Sequence, residues 1–403
     1  MCGFVYRRLV YVQVLPNIFR CVVQTNHVDL CLSLLPTSIR SFSTEIQQVK
    51  KDYLFTVSYL INSCGLSPEK AKSVSKRIKF QSAEQPDSVL KALRNRGFTT
   101  AHITKLVGMR PTLLLANPER AILPKFEFFN SFGVTDAELA SVCSSTPAIL
   151  AHSLENLLIP NYKFLKSVLL SDENVIKSFR KKSWLFQQDL QKNVSPKLTV
   201  LRELGMPEQF VALVLKCYAS IVIQSREKFD KNVKKVIEMG FDPHKCTFIH
   251  AMQVFASISQ STWEQKWDIF REWRWSDDDI MLAFRKHPSC MNASESKIVN
   301  GMDFLMSKMG WQSTDIASYP DVFIMSLEKR VIPRCLVIKV LQSKGLVKNR
   351  IRIGSFLRPA DKLFLDRFVT KYLDQVPELM NIYQRKEGFQ ALDMNFYVSS
   401  SKL

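Results

Sequence analysis

Twelve lysines and arginines fall between Ser326 and Lys371: Lys329, Arg330, Arg334, Lys339, Lys344, Lys348, Arg350, Arg352, Arg358, Lys362, Arg367 and Lys371. Only Glu328, Asp361 and Asp366 oppose them, a net +9. The chemistry open to such a cluster is attraction of a polyanion, each neutralised phosphate releasing condensed counterions. Smaller basic groups lie earlier in the chain. Arg180-Lys181-Lys182 precedes a break, Lys228, Lys231 and Lys235 are spaced to share one helix face, and Arg285-Lys286 closes another helix. The candidate nucleic-acid contacts are therefore Arg180, Lys181, Lys182, Lys228, Lys231, Lys235, Arg285, Lys286, Arg330, Arg334, Lys344, Lys348, Arg350 and Arg352. The whole chain carries 56 Lys and Arg against 37 Asp and Glu, a formal +19, which favours an anionic partner.

Other chemistries find no constellation. No phosphate-binding glycine loop, Gly-x-Ser-x-Gly or His-Glu-x-x-His occurs, so no catalytic residues are assigned and no enzyme activity is expected. Nine cysteines never form Cys-x-x-Cys and read as reduced thiols. His244-Lys245-Cys246 with His250 is the nearest approach to a metal cluster, and it lacks a fourth ligand; neither metal nor cofactor is expected. Asp277-Asp278-Asp279 follows Ser276, so the three acids read as the first turn of a capped helix, complementing its dipole. Trp275 and Trp311 occupy apolar junction places and read as core, whereas Trp267 and Trp273 stay open to a base-stacking role.

The elements that position these cations repeat. In Gly133-Val134-Thr135-Asp136-Ala137-Glu138 a glycine can end one helix in the left-handed conformation and Val134 can close a hydrophobic contact over it. Thr135 then caps the next helix, with Glu138 placed for a capping box. The glycine, apolar, cap pattern returns at Gly65, Gly97, Gly205, Gly240, Gly310 and Gly345. Degenerate copies are Leu169-Leu170-Ser171 and Arg274-Trp275-Ser276. Numbered from 65, 97, 133, 169, 205, 240, 274, 310 and 345, the steps run from 32 to 36 residues, the mark of a solenoid.

Pro111, Pro147 and Pro288 follow their junctions by 14 residues, with Ser183 and Ala219 in equivalent places. Caps Asn117, Ser153, Asp189, Ser225 and Ser294 follow by 20, and Pro124, Pro160 and Pro196 by 27. After Gly310 the corresponding Pro320, Ser326 and Pro333 all come four residues early, so one shortening before Pro320 explains the three. Each repeat thus reads as a helix of about ten residues, a break at the proline, and a second capped helix kinked one turn in. Neither helix buries its apolar face alone, so the repeats must stack.

Residues 1–42 contain Arg7, Arg8, Arg20 and Arg40 against Asp29, an organellar presequence composition, with a processing site expected after Phe42. Removing residues 1–44 takes four basic and one acidic residue, leaving 52 against 36, or +16. Mitochondrial localisation is expected, with the chloroplast as alternative; the final Ser401-Lys402-Leu403 matches a peroxisomal address. The uncharged run Cys246 to Trp263 contains His250, Gln253, Ser257, Ser259 and Gln260, too polar for a membrane span.

The register of glycine, proline, cap and proline resembles that of the mitochondrial transcription termination factor (mTERF) family, especially its plant branch. So do Phe284-Arg285-Lys286-His287-Pro288-Ser289-Cys290-Met291 and Ser326-Leu327-Glu328-Lys329-Arg330-Val331-Ile332-Pro333-Arg334. The likeness covers about Asn62 to Lys371. It implies an all-α solenoid, a left-handed superhelix of eight to nine repeats, each of two α-helices and a short 3₁₀ turn. It further implies a basic groove that binds nucleic acid in organellar transcription termination or regulation; the repeat register and the +9 window point to double-stranded DNA, held mainly through its phosphates.

The expected division is a presequence at 1–42, a linker or first helix at 43–62, the repeat array at 63–375 and a tail at 376–403, in a monomer. Leu169 for glycine, and Ser183 and Ala219 for proline, depart from the pattern. An RNA-binding array serving splicing or transcript stability, and a protein-binding scaffold of the armadillo or HEAT type, are the alternatives. Pentatricopeptide repeats share the period, but prolines at 14 and 27 argue against their uninterrupted helices.

Overall fold

The computed structural model describes residues 51–348 and 351–384; the presequence, residues 43–50, Arg350 and the end of the tail lie outside the described residues. Among the described residues the fold is all-α, without a strand. The chain forms two compact parts. One contains the described residues up to Ile159 with Phe179–Gln187, and the other contains Pro160–Ser178 with everything described from Gln188 on.

The junctions adopt the geometry their residues dictate. Gly65, Gly97, Gly133, Gly205, Gly240, Gly310 and Gly345 all have positive φ, between 69° and 101°. At Gly133 the preceding helix ends with the Val134 N–H donating to Phe129 O at 3.2 Å, which closes a Schellman motif. Val134 is buried beneath it. Thr135 Oγ1 then accepts from the Glu138 N–H, and Glu138 accepts back from the Thr135 N–H at 3.0 Å. The same reciprocal capping box forms at Thr99 with His102 and at Ser276 with Asp279, so the Asp277–Asp279 acids are first-turn residues, as their spacing predicts.

Two junctions do this without glycine, through Leu170 at φ 64° and Arg274 at φ 61°. The residue in the glycine's place is thus Leu170, not Leu169. Leu169 is buried and Leu170 is 82% exposed, with the cap Ser171 following directly. The link is one residue short, and Asn174 Nδ2 takes the Leu169 carbonyl at 3.0 Å.

Beyond each first helix the chain tightens. Pro111–Leu115, Ser183–Gln187, Pro288–Asn292 and Pro320–Ile324 are 3₁₀ turns. Proline is dispensable here: Pro147 has φ −62° and ψ −21°, Ala219 φ −57° and ψ −23°, and each starts a four-residue α turn. The early register after Gly310 has its cause in the helix Ser313–Ala317, five residues long where its counterparts Thr100–Met109 and Asp136–Ser145 have ten.

Asn117, Ser153, Asp189, Ser225, Ser294 and Ser326 each accept a first-turn backbone N–H and begin the second helix. Proline about two turns later removes a donor and crowds the carbonyl four residues back, so the helix must yield. It breaks and restarts at Leu123–Ser131 and Ser195–Glu203, and widens into a π turn at Leu154–Leu158 and Leu327–Val331. Arg226–Glu238 and Gln260–Glu272, which lack the proline, run unbroken for 13 residues, whereas Glu295–Met302, also without it, still passes into a π turn at Asp303–Lys308.

Aromatic clusters fill the core. Phe129 meets Phe179 at 4.5 Å between centroids and Phe186 at 5.8 Å. In the second part Phe284 packs on Phe241, Phe255 and Trp263 within 5.7 Å. Each such ring contributes roughly 1.5–3 kcal/mol of burial. Trp275 is buried against Phe270 and Phe323, whereas Trp311 is only half-buried. Packing continues past residue 375: in helix Leu379–Gln384, Leu379 and Ile382 are buried and Tyr383 stacks on Phe364. No helix among the described residues is long and apolar enough to cross a membrane.

Candidate nucleic-acid interface

The basic residues divide into those that hold the stack together and those that face solvent. A row of polar side chains, each from the second helix of one repeat, reaches carbonyls at the end of the turn in the next. Lys125 Nζ donates to Leu150 O. Asn161 Nδ2 donates to Gln188 O at 2.7 Å, while its Oδ1 accepts from the Leu190 N–H. Lys197 Nζ donates to Val222 O at 2.8 Å and to Gln224 O. Asn232 Nδ2 donates to Phe255 O at 3.2 Å, and Lys266 Nζ to Met291 O at 2.6 Å.

All five side chains are buried. Burial pulls the ammonium pKa of Lys125, Lys197 and Lys266 below the ordinary lysine value, and the nearby Arg226 cation lowers Lys197 further. The carbonyl acceptors offset that cost. After Arg274 the equivalent place is Gly301, where the Phe323 ring closes to 3.3 Å of where a Cβ would stand.

Arg334 fills the same place after Gly310, and with it the sequence reading must be corrected. Predicted as a contact, it has no exposed surface. Its guanidinium donates to Phe356 O, Leu357 O and Pro359 O and to Asp361, and lies 4.6 Å from the Phe364 ring centre. This bonding to Arg334 holds the Asp361 carboxyl below its usual range. Arg330, half-buried, donates to Leu357 O, Arg358 O and Pro359 O. Both arginines serve the last carbonyls of the helix Ile353–Leu357, where cations complement the dipole. They leave the set available to a ligand.

Other candidates are partly engaged. Lys235, half-buried, is partly engaged: burial and then the neighbouring Lys231 cation pull its pKa down, and its ammonium sits 4.2 Å over Phe255 and 5.2 Å from the centre of the Trp263 ring and donates to Gln260. Arg285 Nε donates to Met239 O and Lys286 Nζ to Ser318 O, each at the end of a neighbouring helix. Arg180 pairs with Glu138 at 2.6 Å and Lys344 with Glu378 at 3.9 Å, both with about half of the side chain exposed. Lys182 is half-buried and has its own interactions. Lys181, Lys228, Lys231, Lys348 and Arg352 are exposed and form no ion pair among the described residues.

Sequence reasoning missed the buried lysines. The signal was present: Lys125, Asn161 and Lys197 directly follow Pro124, Pro160 and Pro196, as Arg334 follows Pro333. Trp267, left open as a stacking residue, donates from Nε1 to Asp277 at 3.0 Å and leans on Trp263; Trp273 is half-buried. His244 bonds Asp242 and His250 bonds Tyr218, and among the described residues no group of three ligands gathers in metal-binding geometry.

Comparison with known proteins gives two results. The mTERF family model matches residues 90–300 and 188–365, overlapping ranges that together take in most of the repeats. The mitochondrial transcription termination factor MTERF15 of Arabidopsis thaliana is 28% identical over 111 residues; that segment is 27% of this chain and 24% of the relative, so the likeness spans about a quarter of each.

Proposed function

The chain belongs to the mTERF family, and from that premise we propose that it binds nucleic acid in an organelle and regulates gene expression there. The finer reading is contact with double-stranded DNA through its phosphates, in transcription termination or regulation in the mitochondrion. The observation that carries it is the exposed set Lys181, Lys228, Lys231, Lys348 and Arg352, presented by a chain of formal charge +19. Cations left to solvent on a rigid helical frame gain most from a ligand of regular negative charge. The name of the Arabidopsis relative supports both the compartment and the process. The binding form in this reading is a monomer.

The test is binding of the chain to a matched DNA duplex, a single-stranded RNA and a neutral protein control at two salt concentrations. Duplex affinity that falls steeply with salt is the expected result. Absent or salt-insensitive duplex binding overturns the reading, and tighter binding of the RNA turns it to an RNA function. Footprinting in isolated mitochondria then locates the target.

A further inference from the structure

Between two successive repeats of the second compact part lies a cleft of about 410 Å³ whose wall is polar and basic. Lys192 reaches it from the short helix Leu190–Asn193, Lys197 from Ser195–Glu203, and Arg226 from the start of Arg226–Glu238; Asn193 and Ser225 add polar surface, and Pro196 and Ile223 an apolar part of the wall. Lys192 and Arg226 are exposed and Lys197 is 5% exposed.

The arrangement is unusual for a surface that serves packing alone. Lys197 already satisfies Val222 O and Gln224 O, and an ammonium has three donors, so one N–H is left over. Arg226 stands near enough to Lys197 for the two cations to oppose each other. The carboxylate that relieves this is Asp230, bonded to Arg226 Nε at 2.7 Å, while Asp189 is occupied as a helix cap. Three cations, one of them paired with Asp230, thus border the cleft. An anion entering it finds charge on two sides and a fixed donor at the base.

We propose that this cleft seats one backbone phosphodiester of the bound nucleic acid, with Lys192 and Arg226 supplying the charge and the remaining Lys197 N–H fixing an oxygen. The inference rests on the nucleic-acid reading above. The helix that begins at Arg226 carries the exposed Lys228 and Lys231 onward.

The experiment measures duplex DNA binding by fluorescence anisotropy over a salt series, using the full chain and a Lys192→Gln/Arg226→Gln variant. The slope of log affinity against log salt is expected to fall by about one, the loss of one phosphate contact. Lys192→Arg/Arg226→Lys, which keeps both charges, is expected to restore it. Lys192→Glu, a change on an exposed side chain, provides a second reading and should weaken binding while thermal unfolding stays in place. A wild-type chain that binds DNA with a slope unchanged in both neutral and reversed variants overturns the cleft and leaves the nucleic-acid reading standing. A wild-type chain that binds neither DNA nor single-stranded RNA overturns both. A slope reduced on the RNA but not on the duplex assigns the seat to an RNA phosphate.

Discussion

The Lys266 ammonium lies 2.6 Å from the carbonyl oxygen of Met291, buried, with the two residues on successive repeats. A charge that composition counts as surface is thus internal mortar. Lys266→Met keeps the stem and removes the donor. It should cost about 1–3 kcal/mol, the penalty of a buried carbonyl left unpaired. Chemical denaturation of the two proteins checks this, and Lys197→Met, which orphans Val222 O and Gln224 O together, should cost more.

Arg334 is expected to be the most sensitive of the basic residues. Arg334→Ala removes the donor to three carbonyls and leaves Asp361 without its guanidinium. The loss should reach about 3–5 kcal/mol, chiefly from the buried carbonyls left unpaired, since Asp361 is itself exposed. Hydrogen exchange would show it as early opening around Ile353–Phe368, with the other repeats protected. Unchanged protection there would contradict the role assigned to Arg334.

Exposed cations should behave in the opposite way. Changing Lys344, Lys348 and Arg352 together to Gln is expected to flatten the salt dependence of DNA binding, by up to about one in slope per lost phosphate contact, and to leave the melting temperature nearly unchanged. If melting falls instead, these side chains belong to the packing.

Leu170 holds φ 64° with 82% of its surface exposed. A left-handed conformation costs a side-chain-bearing residue roughly 1–2 kcal/mol. Leu170→Gly relieves that strain and forfeits little burial, so it should stabilise the protein by about 1 kcal/mol after the greater freedom of glycine in the unfolded chain is set against it. A melting temperature that falls would show that Leu170 makes a contact of value.

Burial pushes the thiols of Cys143 and Cys290 up to about 12. Unfolded, they ionise near about 8.5. The folded state therefore holds their protons longer, and the stability they contribute is complete below about pH 8.5 and lost as pH rises toward 12. A Cys143→Ala/Cys290→Ala variant, less stable at neutral pH from lost packing, should show a shallower alkaline decline than the wild type. Parallel curves would refute the assignment.

The frame was legible because its determinants are local. A glycine with positive φ, a cap oxygen three residues before an acceptor, and a proline that denies a donor act within one turn, so their spacing reports structure directly. The exchange of Pro147 for Ala219 at nearly the same backbone angles shows why substitution there leaves the register intact. Adjacent leucines, by contrast, gave no sign of which one takes the left-handed place. The interface was less legible. Lysine looks the same in sequence whether it crosses to a carbonyl, as Lys197 does, or stands in water, as Lys228 does. Only the partner, a repeat away, decides between them. Asn161, Lys197 and Arg334 differ in type and length, which concealed that they do one job from one position.

Every hydrogen bond of that job joins residues 22 to 29 apart. Loop closure is therefore about equally cheap for each of them, and none of these bonds waits for distant segments to meet. Length becomes a free variable: excising one whole period, cap to cap, should leave its flanks able to rejoin, while excising half a period should set donors opposite the wrong carbonyls and unfold both neighbours.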